Sequence, residues 1–200
     1  MSKRVGAEKR ETGMGAKLQA WWQGPFYSEL GKGIIHLDSH LNEGLCDDLI
    51  KIDHGCVQGD DHGNFIWQGN SEASYTEEEK NAIHTFAVAR KVIEIFQHLS
   101  DAPVEWYWHH FGEDSPLTYK INIPEIHCGY DRNQRCIELG VFMRGSFKIY
   151  NCRSVDLVAH ETGHAILDGI KPGGKNGGIE CRGLAEALAD LMPMSVSYTH

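Results

Sequence analysis

The strongest periodic signal in the chain begins at Thr76. Thr76 followed by Glu79 has the form of a capping box. Ile83, Phe86, Ala87, Arg90, Ile93, Phe96 and Leu99 then recur at helical spacing, which predicts one long amphipathic helix ending near Ser100. Downstream, Val104–His109 and Thr118–Ile123 alternate as strands do, with Trp106–His110 read as a buried strand ending at a surface. "IHCGY" and "CIELGVF" flank "DRNQR", the pattern of a hairpin, and "SFKIYN" adds a further strand. Ser154 suits the N-cap of a helix from Val155 to about Asp168, with Asp156 favourable in its first turn. The connector "GIKPGGKNGG" stops that helix. A last helix is predicted from about Cys181 to Met192, where Pro193 is expected to break it.

Earlier in the chain the pattern weakens. Residues 30–75 are rich in Gly, Asp and His around two short apolar runs, Ile34–Leu37 and Phe65–Trp67, and read as loops with short strands. "AWWQGPFY", Ala20–Tyr27, is apolar enough to pack on the domain. No internal repeat is present. Loops and strands, then a helix, strands and two helices make an α+β layout, with residues 21–200 as a single domain behind a disordered basic tail at 1–20.

Charge adds a partner restriction. Residues 1–17 carry five Lys/Arg against two Glu, a local balance of +3, which leaves −12 for the rest of a chain whose total is −9. Such an acidic body is repelled by phosphate backbones, so nucleic acid is not an expected partner. No run of about 18 apolar residues occurs, so no membrane span is expected. No apolar segment follows the basic N-terminus, so no secretory signal is read there, and a cytoplasmic location is expected.

Cysteine spacing removes other chemistries. Cys46, Cys56, Cys128, Cys136, Cys152 and Cys181 form no CxxC pair, which argues against zinc ribbons and thioredoxin-type sites. Free thiols are the default, although Cys128 and Cys136 could meet across the hairpin as a disulfide. "KPGGKNGG" lacks the phosphate-loop spacing, and no Gly-x-Ser-x-Gly elbow is present. His54 and His62 sit in Asp/Gly turns. "HLDSH", His36 to His40, repeats an i, i+4 histidine pair, but in a poor helical context and without a following glutamate.

The stretch "DLVAHETGHAIL", Asp156 to Leu167, is different. On a helix, His160 and His164 stand one turn apart on one face, and both can reach a zinc ion at about 2.0–2.1 Å. Glu161 projects beside them, where a carboxylate can take a proton from an activated water. Two histidines leave the site short of a ligand. Asp168 lies another turn on, about two turns from His160 and too far for the three to converge on one ion. The third ligand must come from another element. "GLAEALADL" offers Glu186, and Asp190 one turn further can orient a ligand imidazole.

Together, "VAHETGHAILDGI" and "GLAEALADL" resemble the thermolysin-like gluzincin class of zinc metallopeptidases. The resemblance implies a zincin-like α+β fold: a small mixed or antiparallel sheet whose edge strand packs on the active-site helix, with a second, ligand-bearing helix beside it. It implies Zn2+ held by His160, His164 and Glu186, with Glu161 as general base and Asp190 as the partner of His160. It places an extended peptide or protein substrate along Ile126, His127, Cys128, Gly129 and Tyr130, by addition of a strand. The resembling enzymes are often exported. They also continue into a mostly helical second half that supplies a transition-state donor. Much of that half is expected to be missing here, with Tyr198 or His200 of the right residue type to stand in for the donor. Two functions follow: a zinc-dependent peptidase, or a catalytically inactive binding or structural protein on the same frame.

Overall fold

The computed structural model describes residues 15–21, 32–41, 44–67, 74–172 and 178–197. Helix α1, Glu77–Ser100, begins where the capping box predicts. Thr76 Oγ1 accepts the Glu79 N–H at 3.2 Å, and the Glu79 carboxylate accepts the Thr76 N–H at 2.7 Å. Ile83, Phe86, Ala87 and Ile93 of its apolar row are fully buried in one continuous core, Phe96 is partly buried against it, and Leu99 at the end is exposed.

A mixed five-stranded sheet packs with α1. It contains β3 (Ile50–Ile52), β4 (Leu117–Ile123), β5 (Cys128–Asp131), β6 (Cys136–Arg144) and β7 (Phe147–Tyr150). The order is β3-β4-β6-β5, with β7 also paired to β6. Strands β3, β4 and β6 run parallel, whereas β5 and β7 run antiparallel to β6. Leu117, Tyr119 and Ile121 alternate inward on β4, which is the period-2 signal of a half-buried strand. Strand β5 pairs with β6 alone in that order and forms an edge. A separate antiparallel pair joins β1 (Lys17–Trp21) to β2 (Lys32–His36). The chain is thus α+β.

Helix α2, Val155–Ile170, is capped as expected by Ser154, whose Oγ accepts the Leu157 N–H at 3.3 Å. Helix α3 spans Ile179–Ser197. Gly163 sets the distance between the two. A Cβ there would lie 3.1 Å from Ala189 Cα and 2.9 Å from Met192 Cγ, so any larger residue would hold α3 away from α2.

Several expectations differ from what is observed. The boundary of the tail, placed near residue 20, falls inside β1. Leu18 and Ala20 are fully buried there, and Phe65 exchanges backbone hydrogen bonds with Lys17 and Gln19. Residues 1–14 and 22–27 lie outside the described residues, as do Tyr198 and His200. Val104–His109 is not a strand; Tyr107–Phe111 forms a 3-10 helix. Its alternating aromatics are held by local and loop carbonyls instead of a ladder. Trp106 Nε1 donates to Leu49 O, and Trp108 Nε1 donates to Ser115 O, each at 2.7 Å. Pro193 does not end α3, which continues to Ser197. The missing proline N–H costs one intrahelical bond, and the buried Ala189 and Val196 on either side keep the helix docked. Cys128 and Cys136 are free thiols: Cys128 pairs with Leu139 and Cys136 with Asp131, so the register keeps them from facing each other. His36 ends β2 and His40 lies in the loop beyond it, so the "HLDSH" pair has no helix to align it.

The core also buries a titratable group. His84 on α1 accepts the Trp21 backbone N–H at Nδ1, at 3.1 Å. Burial pushes its pKa down from 6.5 to about 3, and the Arg153 charge adds to the effect. Because the folded pKa is depressed, the unfolded chain takes up the proton first. This contribution is complete above pH 6.5 and declines as pH falls towards 3, by about 1.4 kcal/mol per pH unit. Urea unfolding of the metal-free protein at pH 7 and pH 5 is expected to show about 2 kcal/mol of pH-dependent loss that His84→Gln does not share. Equal losses in both proteins would assign the pH dependence to other groups.

Candidate metal centre

Helical geometry and the α2–α3 contact build the site together. His160 and His164 lie one turn apart on α2, and their rings meet edge to face with centroids 4.6 Å apart. Their Nε2 atoms are 3.0 Å apart. Glu186 on α3 places Oε2 at 3.4 Å from each of these nitrogens. The three atoms therefore form a nearly equilateral triangle. Ligands on a tetrahedral zinc with bonds of 2.0–2.1 Å stand about 3.3 Å apart. The separations in the triangle match that requirement, and two imidazoles with one carboxylate suit zinc. Among the described residues, this is the one group of three His, Cys, Asp or Glu side chains close enough to share an ion.

Asp190, one turn beyond Glu186, accepts a hydrogen bond from His160 Nδ1 at 2.8 Å. With the proton held on Nδ1, the neutral ring presents the Nε2 lone pair to the triangle. His160 thus meets Asp190 while His164 lies nearer the start of α3, so the two helices run antiparallel along the contact. Both imidazoles are partly buried and both acids are exposed, leaving one side of the triangle open to solvent.

Glu161 stands about 80° round the helix from the midpoint of the two histidines, beside them and towards β5. It is 9 % exposed, and its Oε2 accepts the Tyr130 backbone N–H at 2.9 Å. Cys128 Sγ lies 3.9 Å from Oε1. Burial first, and the Glu161 charge second, push the Cys128 thiol up to about 12, so it stays protonated beside the carboxylate. Of the five residues expected to meet substrate, Cys128 and Tyr130 therefore touch Glu161. Ile126 is exposed to solvent, His127 leans towards Glu138 at 3.9 Å, and Gly129 pairs with Glu138 on β6.

Asp168 does not join the metal triangle. Eight residues turn a helix through about 800°, so Asp168 stands roughly 80° round the axis from His160 and two turns along it, and faces β5 instead. There it accepts the Tyr130 hydroxyl at 3.0 Å and is paired in fork fashion with Arg132, whose guanidinium stacks 4.0 Å from the Tyr107 ring centroid. Tyr130 is thus anchored by its side chain to Asp168, while its backbone N–H holds Glu161. That anchor escapes motif reading, because a backbone donor leaves no side-chain pattern. Behind the site, Tyr119 and Thr162 hydroxyls meet at 2.8 Å and tie β4 to α2.

Comparison with protein-family models and with curated protein sequences yields no match for this chain.

Asp190→Ala removes the partner of His160 Nδ1 without touching a ligand atom. Its zinc affinity, measured by competition with a chelating dye, is expected to fall about 10–100-fold. An unchanged affinity would show that Asp190 does not orient the ring.

Proposed function

We propose that the chain is a zinc-dependent peptidase of the gluzincin type, built on a zincin-like fold, with His160, His164 and Glu186 holding the ion. The observation that carries this reading is the triangle of ligand atoms, whose sides of 3.0, 3.4 and 3.4 Å suit one tetrahedral ion. When bound, zinc supplies a Lewis acid and a water whose pKa is lowered towards 7.

The chain's own residues supply the rest. Glu161 Oε2 is committed to the Tyr130 N–H, so the carboxylate is oriented before substrate arrives. Its other oxygen takes the proton of the attacking water and passes it to the leaving amine. Asp190 keeps the His160 proton on Nδ1 throughout. Cys128 and Tyr130 pair with Leu139 and Ile137 across β6, and the Tyr130 N–H points from that pair towards α2. The outer rim of β5 therefore lies on the side of Glu161. A peptide added along this edge would bring its carbonyls past the base. Peptide or protein chains are the proposed substrate.

The zinc-loaded Glu161→Gln protein is expected to keep its full zinc content and lose about 10²–10⁴-fold in cleavage of a mixed peptide library followed by mass spectrometry. Full activity in that variant would refute the mechanism. Stoichiometric zinc without cleavage in the wild type would instead leave a metal-bearing binding protein.

A further inference from the structure

Strands β6 and β7 leave the body of the sheet together as a two-stranded ribbon. Neither β4 nor β5 pairs with β6 beyond Gly140, and β7 packs principally on β6. Met143 pairs with Lys148 and Arg144 with Phe147, so Gly145 and Ser146 alone turn the chain. Gly145 has a φ of +63°, as the first central residue of a type II′ turn requires.

The tip of this ribbon is apolar and cationic at once. Met143 is 62 % exposed and Phe147 64 %, on neighbouring rungs of the ladder. Single apolar residues scattered over a surface need no explanation, but two large ones at the end of a projecting ribbon form a patch. From Leu139 to Val155 the charged residues are Arg144, Lys148 and Arg153, with no acid among them, in a chain whose total is −9. Arg153 is bound to Asn81 and Glu77 at the base, which leaves Arg144 and Lys148 as the charges of the tip.

We propose that the β6–β7 tip inserts end-on into the interface of an anionic phospholipid bilayer. The ladder register carries the argument. Directly paired residues share a face of an antiparallel ribbon. One face of the tip therefore carries Phe147 with Arg144, and the other carries Met143 with Lys148. A ribbon that lies flat on a protein needs one apolar face and one polar face. Here each face joins one apolar side chain to one cation. That arrangement suits entry along the ribbon axis, with apolar groups immersed on both sides and cations meeting the lipid phosphates.

Depth agrees with this placement. Lys148 Nζ lies 5.0 Å over the Tyr150 ring, and Tyr150 is three residues behind Phe147, about 10 Å along the strand. Interfacial elements bury their apolar side chains about 5–10 Å into the headgroup boundary. The ammonium thus stands at phosphate level when Phe147 is immersed. The contact is a surface one: no helix among the described residues is long and apolar enough to cross a membrane. It uses none of the metal ligands and does not rest on the peptidase reading.

Flotation of the full chain with vesicles tests the inference, comparing phosphatidylcholine alone with an equimolar mixture of phosphatidylcholine and phosphatidylserine. Each cation near an anionic surface strengthens binding about fivefold, so the mixed vesicles are expected to bind about 25-fold more tightly, and added salt should weaken them. Arg144→Gln/Lys148→Gln should abolish that preference. Met143→Ser/Phe147→Ser should weaken binding to the mixed vesicles about tenfold or more. All four side chains are exposed, so the variants are expected to fold, with an unchanged thermal midpoint as the check. In Phe147→Trp, brominated acyl chains should quench the fluorescence more than in the wild type. No binding to the mixed vesicles, or binding that every tip variant retains, would overturn the inference. Self-association in sedimentation velocity that replaces vesicle binding and is lost in Met143→Ser/Phe147→Ser would overturn it too, and would assign the tip to protein contact.

Discussion

The contact of α2 with α3 at Gly163 is the constraint on which the candidate site depends. Gly163 and Ala189 meet with no room for a further carbon. Glu186 stands one turn before Ala189 and Asp190 directly after it. A displacement of α3 by even an ångström would open the 3.4 Å separations between Glu186 and the two imidazoles. The site is therefore a property of helix packing more than of local sequence: two histidines become a metal centre only where small residues let a second helix deliver its carboxylate.

The same geometry divides the acids into different tasks. Glu186 and Asp190 face the imidazoles from the solvent side, where both carboxyl groups are exposed. Glu161 points into the protein and is satisfied by a backbone donor on the edge strand. Asp168 is buried and balanced by Arg132. An unpaired carboxylate in that position would be costly, and removing either member of such a pair typically costs about 3–5 kcal/mol. The pair also anchors Tyr130, so the strand that orients Glu161 is held by an interaction remote from the metal ligands.

Much of this was legible in the sequence where the signal is local. Thr76 and Glu79 mark the start of α1, Ser154 marks that of α2, and "DRNQR" between two alternating runs marks the β5–β6 hairpin. His160 and His164 could be grouped, with Glu161 beside them, because spacing on a helix fixes which side chains share a face. Glu186 and Asp190 were legible only as a second motif that had to meet the first. What escaped reading depends on distant partners. Strand β1 is hidden at the end of a charged leader because its strand character comes from pairing with β2 and Phe65. The aromatic run at 106–111 mimics a strand in its alternation, but its Trp side chains are anchored by the carbonyls of Leu49, distant in sequence, and of Ser115, seven residues on. Pro193 is a helix breaker by local rule, yet tertiary packing carries α3 past it. The Arg132–Asp168–Tyr130 anchor joins residues 36 and 38 positions apart, which no local pattern records.

X-ray absorption at the zinc edge, on the full chain loaded with one equivalent of zinc, tests the central claim most directly. The account predicts a four-coordinate ion with two imidazole nitrogens and oxygen donors at about 2.0–2.1 Å, and the loss of one oxygen donor in Glu186→Ala. A sulfur shell at about 2.3 Å would show that a thiol has captured the ion elsewhere, and failure to bind zinc at all would contradict the metal centre outright.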